Sequence, residues 1–175
     1  MGEVRRTWMK RAAVGMAGVF VAAVLSGCSF FGGGSAPQVK NWEPVLSPDG
    51  TKLAFETLAE KTYEIYARTL ATGETVQLTT NQANDWSPSW SPQGDRLVFS
   101  SERNKNVDLY VVDLATLAET RLTDDPAEEV NPSWGADGRV YFNSNRSGAW
   151  EIYSVNGDGT DLTKITGASA PSQGG

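Results

Sequence analysis

Asp124, Asp125, Glu128 and Glu129 crowd four carboxylates around Pro126 and Ala127. Carboxylates at that density can hold a hard cation such as calcium; the competing reading is a solvated loop that Pro126 turns. A second group lies near two prolines. Trp42 and Trp86 each stand two residues before one, and with Asp85 and Glu129 they could form a mouth for a peptide or protein partner. Apolar packing is the alternative for both tryptophans. Trp42, Trp86 and Trp150 would equally serve as stacking platforms for a sugar. Arg103 and Arg146 each follow a phenylalanine by four residues, with Asp108 and Glu151 nine after it; they either brace a loop against those carboxylates across the hairpin or offer charge to a partner.

What the chain lacks narrows the chemistry further. Its 175 residues contain no histidine and one cysteine. Without an imidazole there is no Ser-His-Asp or Cys-His nucleophile system and no histidine-ligated zinc. One cysteine makes neither an internal disulfide nor a thiolate cluster. No glycine-rich phosphate loop, nucleotide fingerprint or nucleophile elbow is present, and Gly32-Gly33-Gly34 does not lie between a strand and a helix. Asn156 to Asp161 superficially resembles a calcium loop, but it has Asp161 at the sixth position and Gly167 at the twelfth, so it reads as a hairpin turn. A net charge of −6 argues against nucleic acid. The expectation is a non-enzymatic protein with no cofactor, calcium being the one cation the acidic loop would take.

The cysteine has a different use. Arg5, Arg6, Lys10 and Arg11 open the chain, and the apolar run from Ala12 to Leu25 is too short to span a bilayer as a helix. The run ends in Leu25-Ser26-Gly27-Cys28, which resembles the bacterial lipobox; that resemblance implies lipidation of Cys28 as the first mature residue. Residues 1–27 are then a lipoprotein signal peptide, and 28–39 a lipidated cysteine with a flexible glycine-rich linker. Several acyl chains, at about 0.8 kcal/mol per buried CH₂, give a stable anchor. Ser29 rather than Asp after the cysteine favours the outer membrane, facing the periplasm, in a two-membrane cell; otherwise the anchor holds the outer face of the cytoplasmic membrane. Arg5-Arg6-Thr7-Trp8-Met9-Lys10 resembles a twin-arginine export signal, with Val4 in place of the usual Ser/Thr; general secretion stays open.

The elements that must position the candidate residues are set by an internal repeat. Pro44, Pro88 and Pro132 are 44 residues apart, inside Pro44-Val45-Leu46-Ser47-Pro48-Asp49-Gly50 and its two echoes. Each is followed by an apolar triplet ending in Phe55, Phe99 or Phe142, then by Tyr66, Tyr110 or Tyr153, the third copy being one residue shorter. Within each unit four short strands are expected; in the second these are a strand ending near Trp90, then 97–100, 108–113 and 120–123. Alternation in the third strand implies that both its faces are covered. Four-stranded units at this period mean β-propeller blades. The fold class is all-β, with three blades at about 40–83, 84–127 and 128–167 and a disordered tail over 168–175. The recurring phenylalanines and tyrosines form the core between blades.

Trp90-Ser91-Pro92-Gln93-Gly94, Ser144-Asn145-Arg146-Ser147-Gly148, Glu151-Ile152-Tyr153 and Asn156-Gly157-Asp158-Gly159-Thr160 leading to Ile165-Thr166 resemble the TolB-like, WD-like propeller repeats of bacterial envelope proteins. The resemblance spans about 40–167 and implies blades that serve as scaffolds, as peptidase gates or as sugar-binding modules. The leading expectation is a lipid-anchored envelope propeller that binds an envelope protein or peptide at its rim. Its partner site would draw on Trp42, Asp85, Trp86, Arg103, Asp124, Asp125, Glu128, Glu129, Arg146 and Trp150. A glycan-binding propeller lipoprotein, or an accessory domain of a metal-dependent hydrolase or lyase, are the alternatives. Three blades do not close a ring. Either two chains pair head to tail into a six-bladed ring, or the chain is a truncated relative with apolar faces exposed at both ends.

Overall fold

Each proline-centred repeat folds as one antiparallel meander. The structure is a computed structural model that describes residues 41–103 and 105–167, all within one compact unit, Pro37–Gly175. The expected signal peptide, Cys28, the linker and the 168–175 tail lie outside the described residues. The first sheet runs β1 (Asn41–Leu46), β2 (Lys52–Ala59), β3 (Thr62–Thr69), β4 (Thr75–Gln77). The second runs β5 (Asp85–Trp90), β6 (Arg96–Ser101), β7 (Asp108–Asp113), β8 (Glu119–Arg121). The third runs β9 (Glu129–Trp134), β10 (Arg139–Ser144), β11 (Glu151–Asn156), β12 (Thr163–Lys164). In every sheet the spatial order is the chain order, so each is a blade of four neighbouring strands. The described residues form no helix.

Turn chemistry recurs with the repeat. In Ser47-Pro48-Asp49-Gly50 the Gly50 N–H donates to the Ser47 carbonyl at 2.9 Å, and Gly94 and Gly138 close the equivalent turns onto Ser91 and Gly135. All three glycines have φ between 70° and 85°, the left-handed region that a side chain rarely adopts. Asp49 fastens the first turn by accepting from the Ser47 hydroxyl at 2.6 Å and the Thr51 N–H at 3.0 Å. Those bonds favour the carboxylate and hold Asp49 down to about 2.

Strand one of each blade carries a bulge that pattern reading alone does not show. Between Trp42 and Val45 two residues, Glu43 and Pro44, stand opposite Phe55 alone, and the same shift recurs in β5 and β9. The residues before the three prolines, Glu43, Ser87 and Asn131, all adopt φ near +50°. Proline disfavours the right-handed helical region for its predecessor and cannot donate to the ladder, so the extra residue is accommodated there.

Blades pack face to face. Ala54, Ile65, Ala67 and Leu78 of the first meet Leu97, Phe99, Tyr110 and Val112 of the second. Val98, Leu109 and Val111 of the second meet Val140, Phe142, Tyr153 and Val155 of the third. Strand β7 is therefore apolar on both faces, as its sequence implies. Of the six aromatics expected in the core, Phe99, Tyr110, Phe142 and Tyr153 are buried. Phe55 and Tyr66 are only partly covered, because they face away from the second blade. Hydrogen bonds join the blades as well: Trp90 Nε1 donates to the Val45 carbonyl at 3.0 Å, and the Trp134 N–H donates to Ser89 Oγ at 2.9 Å.

Candidate partner-binding site

The connections after strands two and four of the blades meet along one rim. The Tyr63 N–H donates to Asn84 Oδ1 at 3.2 Å, and the Glu128 N–H donates to Asn145 Oδ1 at 3.0 Å. Asn106 Nδ2 donates to the carbonyls of Asp125 at 2.6 Å and Ala127 at 3.1 Å. An asparagine on one loop thus replaces the strand partners its neighbour lacks, and the rim is a fixed surface rather than a set of free loops.

Beneath the rim, Asp85 and Glu129 at the starts of β5 and β9 have no exposed side-chain surface. They face arginines from the next turn of chain. Arg103 donates to Asp85 at 3.3 Å and to Ser101 Oγ at 2.8 Å, while Ser101 Oγ donates to Asp85 at 2.5 Å. Arg103 also pairs with Glu119. In the third blade Arg146 donates to Glu129 at 2.7 Å and to Ser144 Oγ at 3.1 Å. Each guanidinium lies over an aromatic ring: Arg103 is 4.2 Å from the Tyr110 centroid and Arg146 is 4.9 Å from that of Tyr153.

These arginines do brace the rim, but against strand one and not across their own hairpin to Asp108 or Glu151. Asp108 pairs instead with Arg121 at 2.8 Å, Glu151 with Lys164 at 3.1 Å, and Glu64 accepts from Thr79 at 2.7 Å. Asp108 and Glu151 are thus occupied by the fourth-strand cations Arg121 and Lys164, and the arginines turn to the acid at the start of strand one, Arg103 to Glu119 as well. Burial pushes the carboxyls of Glu64, Asp108 and Glu129 up, against the bonds from Thr79, Arg121, and Thr123 with Arg146 that favour the charged forms.

The four rim carboxylates serve separate purposes. Asp124 is 82 % exposed and pairs with Arg121 at 2.7 Å. Asp125 accepts from the Ala127 N–H at 2.9 Å and lies 3.9 Å from Arg146. Glu128 sits half-buried on the rim, and Glu129 belongs to the clamp below. Among the described residues no three His, Cys, Asp or Glu side chains converge in a way that could hold a metal ion. Trp42 and Trp150 are 40 % and 45 % exposed, on the first and third blades, while Trp86 is half-buried.

Asp124, Asp125 and Arg146 are brought together with apolar neighbours at the seam of the second and third blades. They line a groove of about 200 Å³ with Leu122, Val155 and Leu162. Leu122, Val155 and Leu162 carry no signal at the level of motif; they enter the groove because the two blades meet there. Glu43, Ser87 and Asn131 were equally hidden, although the recurring X-Pro steps mark their positions. Ser87 Oγ donates to Glu43 Oε2 at 2.7 Å, and the Ser87 N–H donates to Glu56 at 3.1 Å, so the bulges of the first two blades are tied together.

The family model that describes the TolB beta propeller domain matches residues 38–173. The chain belongs to the TolB beta-propeller family. The structure of a protein described as TolB from Agrobacterium tumefaciens is similar at 31 % identity and a TM-score of 0.65, covering 70 % of this chain and 45 % of that one. TolB from Acinetobacter baumannii is similar at 28 % identity and a TM-score of 0.64, covering 73 % and 32 %. The chain thus spans less than half the length of either TolB protein. An oligogalacturonate lyase in complex with manganese shares the fold at 23 % identity and a TM-score of 0.56, covering 69 % and 38 %. Among curated proteins nothing matches. The TolB-like blades thus confirm the all-β, three-blade reading of the repeat.

Proposed function

We propose that this TolB-family chain is a non-enzymatic scaffold of the bacterial cell envelope, held to a membrane by lipid on Cys28, that binds a protein or peptide at its rim. The observation that carries the reading is the seam groove, where exposed Asp124 and half-buried Asp125 stand beside Leu122 and Leu162. An acidic wall over an apolar floor suits an extended peptide with a basic residue next to an apolar one. Arg146 is already engaged by Glu129 and Asp124 meets Arg121 at 2.7 Å, so Asp125, 3.9 Å from Arg146, is the less neutralised of the two aspartates offered to a partner.

Binding of fluorescent basic-apolar peptides to the full chain tests the reading. Affinity that falls with salt and weakens in Asp124→Asn/Asp125→Asn supports it; binding indifferent to both overturns the groove as the site. Asn at 125 keeps the acceptor for the Ala127 N–H, so the loop stays folded. Incorporation of labelled palmitate, lost in Cys28→Ser, tests the anchor.

A further inference from the structure

The two end faces of the three-blade stack are the two halves of an interface that already occurs twice inside it. At each internal seam one blade offers a stacked aromatic pair, Phe99–Tyr110 or Phe142–Tyr153, to aliphatic residues of the blade before it. Those residues include Ile65 and Leu78 at the first seam, Leu109 and Leu122 at the second. The first blade carries the same aromatic pair, Phe55 and Tyr66 with centroids 6.0 Å apart, on its outer face. The third carries the aliphatic pair on its own outer face: Ile152 and Ile165, 39 % and 50 % exposed.

The backbone holds that pair in the same way each time. The N–H of Ile165 donates to the Ile152 carbonyl at 2.8 Å, matching Leu78 to Ile65 and Leu122 to Leu109, both at 2.8 Å. The two end faces depart from the internal pattern on neighbouring rungs. On the aromatic side Arg68 stands where the internal seams have Val112 and Val155. On the aliphatic side Tyr141 and Ser154 stand where they have Val98 and Val111, or Ala54 and Ala67. The Tyr141 hydroxyl donates to Asp137 at 2.7 Å, so this rung ends in a carboxylate. A cation on one face and a phenol–carboxylate pair on the other replace apolar residues on both sides of the same seam.

We propose that the outer face of the first blade is an interaction surface for the outer face of the third blade in a second copy of this chain. Two such contacts, related by a twofold axis, close a ring of six blades, within the range at which propellers close. The internal seams supply the register. Trp134 meets Ser89 through a hydrogen bond; Ser133 stands one repeat after Ser89, and Leu46 holds Trp134's position in the first blade, both exposed and without a neighbouring blade among the described residues. Ser133 of one copy therefore lies against Leu46 of the other.

Light scattering on the full chain in mild detergent is expected to give twice the chain mass for the protein component. Phe55→Arg and Ile165→Arg, both on exposed or half-exposed end faces, are each expected to give single chains with an unchanged far-ultraviolet spectrum. On mild oxidation Leu46→Cys/Ser133→Cys is expected to form a covalent dimer that the wild type and the two single variants, all retaining Cys28, do not form. A wild-type single chain, a dimer that survives both arginine substitutions, or a double-cysteine variant that links no better than the wild type overturns the proposal. Open-ended oligomers overturn the closed ring.

Discussion

Phe99 and Phe55 occupy the same rung of successive sheets, yet Phe99 is fully buried with Arg103 above it, while Phe55 is half-covered with Ala59 at the arginine's position. The difference extends to a whole constellation. The second blade has Asp85, Ser101 and Arg103, the third has Glu129, Ser144 and Arg146, and the first has Asn41, Thr57 and Ala59. Acid and cation are therefore present together or replaced together, while a hydroxyl stays at the middle position of all three blades. Residues found in all three blades serve the sheet itself, its turns and its aromatic pair; residues found only in the second and third serve a seam that has a blade on both sides. A buried ion pair is a weak source of net stability, whereas losing one partner of it is costly.

The largest test of that contrast is Arg103→Ala. It strands the fully buried Asp85 and should cost about 3–5 kcal/mol in chemical denaturation. Asp85→Asn in the same chain should recover a substantial part; no recovery would assign the loss to Arg103's stacking instead. Next, in the single chains of Ile165→Arg, Phe99→Ala should cost about 3–5 kcal/mol and Phe55→Ala under about 2, since less area leaves water at the end face. Equal losses would break the comparison. Trp90→Phe, which removes the bond to the Val45 carbonyl, should cost about 1 kcal/mol. Building the clamp into the first blade with Asn41→Asp/Thr57→Ser/Ala59→Arg should change stability least, by up to about 1 kcal/mol through the cation over Tyr66.

The buried acids give the contrast a pH signature. Glu64, Asp108 and Glu129 have carboxyls raised by burial, so the folded chain binds their protons more tightly than the unfolded one. Stability from these groups is greatest below the ordinary carboxylate range and falls as pH rises through their raised values. Glu129→Gln should flatten the fall of melting temperature with pH above about 4.5. An unchanged slope would show that Glu129 does not titrate differently on folding.

The strand pattern was legible because a period of 44 residues repeats the turn, the aromatic pair and the strand-three alternation. Strand four was expected at 120–123 and the second blade forms it at Glu119–Arg121, a shift at the short outer strand, where few ladder bonds fix the ends. The arginines pair otherwise than their spacing suggests for a plainer reason. Spacing places Arg103 near both Asp85 and Asp108; in the fold Arg121 occupies Asp108, and Arg103 meets Asp85 and Glu119. The sharing of labour among Asp124, Asp125, Glu128 and Glu129 is a matter of directions, which four adjacent letters do not encode.

The sequence by itself determined that these residues make three equivalent antiparallel sheets, since period-two alternation and Pro–Gly turns are local properties of the chain. It also supplied every residue of the clamp. Which carboxylate each arginine meets was decided inside one blade, between residues 17 or 18 apart; which aromatics lose solvent and where an apolar floor lies beside the aspartates were decided only when blade packed on blade. The latter outcomes depend on distances between segments some 44 residues apart, and burial and desolvation exist only once such segments touch.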